Sequence, residues 1–184
     1  MLVKLFGAAV QGIDATIVTI EVNCSRGIKF YLVGLPDSAV KESHERIVSA
    51  LQVNGYKFPT RQLVVNMAPA DIRKEGASYD LPLAIGILAA NETISSEHLA
   101  DYLIIGELSL DGSLQPIKGA LPIAIAARHK KDTPHCKTEH CVCTCNKSTC
   151  SDPRRTWYGE YVGGRICGCR SFCHRNLKFH AYFK

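Results

Sequence analysis

Ser78 is the hydroxyl whose setting most invites a chemical reading: it follows Gly76-Ala77, ends a charged loop and stands ahead of an apolar run over residues 81–90. A serine hydroxyl is a weak nucleophile at its free pKa and needs a neighbouring base. Lys74, in the loop before it, is an amine that could in principle reach it. The competing role is structural. A serine just before a helix caps it by accepting a backbone N–H, and Asp80 would then fall in the first turn, where a carboxylate is favoured.

The loop Asp71-Ile72-Arg73-Lys74-Glu75 alternates in sign between two apolar segments. Two carboxylates and two cations so close could contact a partner or position a phosphate, although charged surface loops are more often simply solvated. A nucleotide site is not expected. Holding β- and γ-phosphates takes Gly, four residues, then Gly-Lys-Ser/Thr, and no glycine in this sequence directly precedes a lysine. The chain is therefore expected not to hydrolyse ATP and to carry no cofactor.

The composition breaks near residue 128. Residues 1–128 carry 11 Lys and Arg against 13 Asp and Glu, whereas residues 129–184 carry 11 against 4, so the overall charge of +5 belongs to the tail. The tail also holds eight of the nine cysteines and only four Val, Ile, Leu or Met, too few for an ordinary core. Cys136, Cys141, Cys143, Cys145, Cys150, Cys167, Cys169, Cys173 and His174 raise a zinc reading, but C-x-C and C-x₄-C spacings mostly miss those of closed zinc sites. Arg154-Arg155, Trp157, Tyr158 and Tyr161 raise a nucleic-acid reading, by charge and stacking. The expectation is a segment outside the fold that holds no metal.

The elements that must position Ser78 and the charged loop are legible in the apolar pattern. Residues 2–10 and 13–23 read as a hairpin across Gln11-Gly12, and 28–33 as a third strand. Asp37 is an N-cap for a helix from Ser38 to about Asn54, with Val40, Ile47, Val48 and Leu51 inward, Lys41–Glu45 and Glu42–Arg46 pairs on the wet side, and Gly55 after its end. Residues 62–67 form a buried strand, and Ser78 caps the helix at 79–90. A short helix over 95–101 precedes a hairpin of 102–110 and 113–117 about Asp111-Gly112, and 119–128 is the last helix. The order β-β-β-α-β-α-α-β-β-α describes an α/β or α+β domain over residues 1–128. No apolar run reaches the roughly 18–20 residues of a membrane span. No secretory signal is recognisable at the start, so a cytoplasmic, reducing setting is expected.

The stretch Val64-Val65-Asn66-Met67-Ala68-Pro69-Ala70-Asp71-Ile72-Arg73-Lys74-Glu75-Gly76-Ala77-Ser78-Tyr79-Asp80-Leu81-Pro82, with Gly106-Glu107-Leu108-Ser109-Leu110-Asp111-Gly112 through Gly119, resembles the amino-terminal part of the magnesium-chelatase-like AAA+ ATPases, the ComM/YifB group. The resemblance spans residues 1–128. It implies a Lon-protease-like fold placed ahead of an ATPase module, as an accessory domain in ATP-dependent DNA processing, with that module or neighbouring subunits, and DNA, as partners. In Lon-type peptidases a serine set like Ser78 is activated by a lysine on the helix after a hairpin. Matching Pro116-Ile117-Lys118-Gly119-Ala120-Leu121 to that pattern puts Leu121 at the lysine, and leucine cannot take a proton. Ser78 is thus expected to be vestigial. The alternatives are a small Ser/Lys peptidase using Ser78 with Lys74 or Lys118, and a zinc- or nucleic-acid-binding tail. The family pattern ends within a few residues of Arg128, beside Lys130-Lys131. The chain is accordingly expected to be truncated before the ATPase module, its tail resembling a sequence read in the wrong frame.

Overall fold

In the computed structural model, residues 1–131 and 141–144 are described, with side chains through Arg128. Strands β1 (Leu2–Gln11) and β2 (Asp14–Ser25) pair antiparallel from Leu2↔Asn23 to Gln11↔Asp14, around a turn at Gly12 and Ile13. The turn therefore falls one residue later than expected. β4 (Gln62–Ala68) runs antiparallel to β2, and β3 (Phe30–Val33) lies parallel to β4 at the sheet edge. β5 (Tyr102–Ile105) pairs parallel with β1, and β8 (Cys141–Thr144) with β5, giving the order β3-β4-β2-β1-β5-β8. This is a mixed sheet in an α/β domain.

Strand alternation divides the core into two layers, because successive side chains point to opposite faces. Val18, Ile20, Val22 and Cys24 of β2 meet Leu63, Val65 and Met67 of β4 on one face; Ala15 and Ile17 join Ala8, Leu103 and Ile105 on the other. Helices α1 (Ser38–Val53) and α2 (Asp80–Ala90) cover the first face. The second face receives α3 (Ala120–Lys131), through Ile123 and Ala127. All eleven residues of α2 are buried, so this helix is apolar all round rather than striped. Its approach to the sheet leaves room only for hydrogen at Gly86, where a Cβ would stand 2.8 Å from both Leu5 Cδ2 and Val22 Cγ2.

α1 matches its expected limits. The Asp37 carboxylate accepts from Val40 N at 2.8 Å, and Gly55 N bonds Gln52 O at the far end. Three expectations are corrected. Residues 95–101 form only a 3-10 turn at Leu99–Asp101: among them Leu99 is fully buried, and one apolar anchor cannot offset helix nucleation. The single hairpin over 102–117 divides at Gly106, whose N–H and C=O bond Ser78 O and Leu81 N instead of a ladder partner. β6 (Glu107–Leu108) and β7 (Leu114–Gln115) therefore form a separate pair. Their connection is not a two-residue turn either. Gly112 N bonds Ser109 O and Ser109 N bonds Ser113 O, with Gly112 left-handed, which is a three-residue loop with a bulge.

α3 runs three residues past the expected boundary, to Lys131. Cys141–Thr144, expected to lie outside the fold, pair with β5. The expectations for Cys136, Cys145, Cys150, Cys167, Cys169, Cys173, His174 and the aromatic residues from Trp157 lie outside the described residues, as do the side chains of Cys141 and Cys143. Among the described residues no helix is long and apolar enough to cross a membrane, and Cys24 is a free, buried thiol.

Candidate functional site

The charged loop leaves β4 after Ala68 and returns into a 3-10 turn at Ala77–Tyr79, just ahead of α2. A second loop, between β3 and α1, is laced to it. Lys74 N donates to Leu35 O at 3.2 Å and Asp37 N to Lys74 O at 3.0 Å, a short parallel bridge between Pro36 and Lys74. The Asp37 carboxylate serves both loops, since its second oxygen accepts from Gly76 N at 3.2 Å. Gly34 makes the approach feasible: at φ +104, a Cβ there would lie 2.1 Å from Met67 O.

Lys74 is fully buried, although it was expected with Asp71, Arg73 and Glu75 in an exposed interaction loop. Its ammonium donates to Pro69 O, tying the loop back to its own beginning. Burial lowers its pKa below the ordinary lysine value, while Asp71 pulls the other way. Asp71, Arg73 and Glu75 stay exposed, with Arg73 Nε 3.2 Å from Glu75 Oε1. An alternating charge pattern reveals a loop but not which of its charges turns inward.

Ser78 does not cap α2. It lies inside the 3-10 turn, Tyr79 occupies the cap position, and no side chain caps either helical segment. What Ser78 supplies is its carbonyl, which accepts from Gly106 N at 2.9 Å; Leu81 N in turn donates to Gly106 O at 3.0 Å. These two bonds join the start of α2 to the end of β5. Lys74 is committed to Pro69, and Lys118 and Leu121 are exposed, Leu121 at 56%. No hydrogen bond links Ser78 to either lysine, so the described residues hold no assembled Ser/Lys pair.

The strongest polar cluster at this end escaped the sequence reading. Asp80, fully buried at the head of α2, accepts from Arg46 Nε at 2.7 Å, Arg46 Nη2 at 3.0 Å, Leu108 N at 3.2 Å and the Ser43 hydroxyl. Arg46 was expected on the wet side of α1 with Glu42. It does approach Glu42 to 3.9 Å, but its main partner is Asp80. That hydrogen bond raises the guanidinium pKa, burial opposes it, and the charges of Asp80, Glu107 and Glu42 add to the rise. One carboxylate thus joins α1, α2 and β6. Its four donors give it a structural role. A signal was available: an acid opening a helix whose other residues are all apolar must find a cation elsewhere.

Tyr79 beside this cluster is also fully buried, and its hydroxyl has no hydrogen-bond partner among the described residues. Burial, then the charge of Asp37, raises its pKa well above the usual tyrosine value. Among the described residues no group of three or more His, Cys, Asp or Glu is arranged to hold a metal ion.

A mixed sheet with helices on both faces carries a charged loop closed by its own lysine before a buried helix. Residues 20–135 match the family model for subunit ChlI of Mg-chelatase, and the chain belongs to that magnesium-chelatase-like family, in its ComM/YifB group. It is 44% identical over 128 residues to the competence protein ComM of Haemophilus influenzae, covering 69% of this chain and 25% of the relative. It is 42% identical over 120 residues to the "Uncharacterized protein YifB" of Escherichia coli, covering 65% and 24%. The chain thus spans about a quarter of the length of these relatives.

Proposed function

We propose that this chain is a non-catalytic accessory domain, of Lon-protease-like fold, from the amino-terminal part of a cytoplasmic AAA+ ATPase of the ComM/YifB type. The whole protein would process DNA at the expense of ATP, with the ATPase module lying outside the segment matched here. The observation that carries the reading is the fate of the serine and its lysines. The Ser78 carbonyl is used to join α2 to β5, the Lys74 ammonium is buried on Pro69 O, and Leu121, which the resemblance puts at the peptidase lysine, is exposed. Lys74 has structural work, and no hydrogen bond among the described residues supplies the Ser78 hydroxyl with a base. The exposed Asp71, Arg73 and Glu75 are the proposed contact with the ATPase module or a neighbouring subunit, held in place by the buried Lys74.

The test is reconstitution. A ComM relative lacking the segment matched here is mixed with this chain, and DNA-stimulated ATP hydrolysis is followed. The expected result is a saturable change in rate that Asp71→Arg with Glu75→Arg removes while leaving the melting temperature of this chain unchanged. An ATPase rate indifferent to the added chain at every concentration would overturn the proposal.

A further inference from the structure

Arg26, Lys29, Lys57 and Arg61 are four exposed cations on two loops, β2–β3 and α1–β4, that the topology brings together at the start of β4. Ser25 pairs with Gln62, so Arg26 and Arg61 flank the last rung of the ladder. Gly27 packs on the Gln62 side chain, and Lys29 O accepts from Leu63 N at 2.9 Å. Lys57 reaches the same place through its neighbour: the His44 ring lies 4.7 Å from Phe30 and 5.3 Å from Phe58. None of the four makes an ion pair among the described residues, and Glu45, on the helix packed against them, bonds His44 instead. Residues 22–36 and 54–70 contain these four cations and no Asp or Glu at all, in a region (1–128) that is net acidic.

Charge segregated this way costs self-repulsion unless something negative comes to it. Beside the cations stand exposed apolar groups: Ile28 is 88% exposed at the tip of the β2–β3 loop and Tyr31 is 44% exposed on edge strand β3. Cations for phosphates together with an exposed ring for a base describe a sequence-tolerant single-strand surface. We propose that this end of the sheet binds single-stranded nucleic acid, with Arg26, Lys29, Lys57 and Arg61 on the phosphates and Tyr31 stacking a base. This deepens the accessory-domain reading by naming where DNA meets the domain. It involves no residue of the Asp71–Glu75 loop, so the two can fail separately.

The experiment is fluorescence anisotropy of a labelled oligothymidine with the full chain, over a range of salt. Because the tail is also cationic, the comparison is between two variants of equal charge change. One carries Arg26→Gln, Lys29→Gln, Lys57→Gln and Arg61→Gln; the other carries Arg154→Gln, Arg155→Gln, Arg170→Gln and Arg175→Gln. The first is expected to weaken binding roughly tenfold or more and to flatten the log–log salt slope by about 2–3, near 0.7 per phosphate contact. Tyr31→Ala is expected to weaken single-strand binding about fivefold while altering duplex binding less than about twofold. The idea fails if the first variant stays within about twofold of the parent, or if the tail variant accounts for the whole loss. Polyglutamate competing as well as oligothymidine at equal charge would also overturn it, pointing to an acidic protein partner.

Discussion

The two ends of β4 use charge in opposite ways. At its carboxyl end, Asp80, Arg46, Lys74 and Asp37 are each bonded to specific donors or acceptors and join α1, α2, β6 and two loops. At its amino end, Arg26, Lys29, Lys57 and Arg61 are exposed and make no ion pair among the described residues. A buried charge must be satisfied inside the protein and then acts as structure. An exposed, unpaired one contributes little to stability and remains available to a partner. The contrast separates residues that hold the domain together from residues that can serve binding, although both sets are ordinary Asp, Lys and Arg.

The sharpest way to break the comparison is Asp80→Ala. Removing one partner leaves Arg46, Ser43 Oγ and Leu108 N without their acceptor, and a loss of about 3 kcal/mol or more in chemical denaturation is expected. A loss below about 1 kcal/mol would mean that solvent already satisfies this cluster. Asp37→Ala comes next, because the same carboxylate caps α1 and holds Gly76 N. It should cost about 1–2 kcal/mol, whereas Ser78→Ala, at a position without a cap bond, should change stability by less than about 0.5 kcal/mol.

Tyr79→Phe should act in the other direction. A buried hydroxyl without a partner costs about 1–3 kcal/mol, so its removal is expected to stabilise the domain by about 1 kcal/mol at neutral pH. The pH dependence has a definite sign. The folded pKa is raised above the unfolded value of about 10. The parent protein should therefore keep its stability up to about pH 10 and lose it as pH rises further, since only the unfolded chain then ionises at this residue. The Phe variant should lack that component, which paired urea melts at pH 8 and pH 11 would read. The smallest expected effect is that of the four Gln substitutions at Arg26, Lys29, Lys57 and Arg61: less than about 0.5 kcal/mol in the same melts. A larger loss would show that these cations belong to the fold after all.

What could be read from the chain, and what could not, follows how local each signal is. The β1–β2 hairpin, α1 with its Asp37 cap and Gly55 end, and the buried α2 were all legible, because alternation, capping and apolar runs are written in neighbouring residues. Gly106 was misread because its hydrogen bonds go to Ser78 and Leu81, far away in sequence, and not to the next strand. Ser78 looked like a cap for the same reason. The 3-10 turn that displaces it follows from the union with β5, which no window around Ser78 contains. The Asp71–Glu75 loop was correctly found as charged, but the inward turn of Lys74 depends on the β3–α1 loop packed across it. The cationic end is written in the sequence as two acid-free segments, yet it becomes a patch only when β2, β3 and β4 are paired.

The central claim is that Ser78 and Lys74 serve structure and that Ser78 has no working base in Lys74 or Lys118, and covalent labelling tests this most directly. The full chain is treated with a serine-directed acylating probe at pH 8, and peptide mass spectrometry reads modification at Ser78. The expected result is labelling no greater than at exposed serines elsewhere in the chain, unchanged by Lys74→Met or Lys118→Met. Stoichiometric acylation of Ser78 that disappears with either lysine would contradict the account and establish a working Ser/Lys pair.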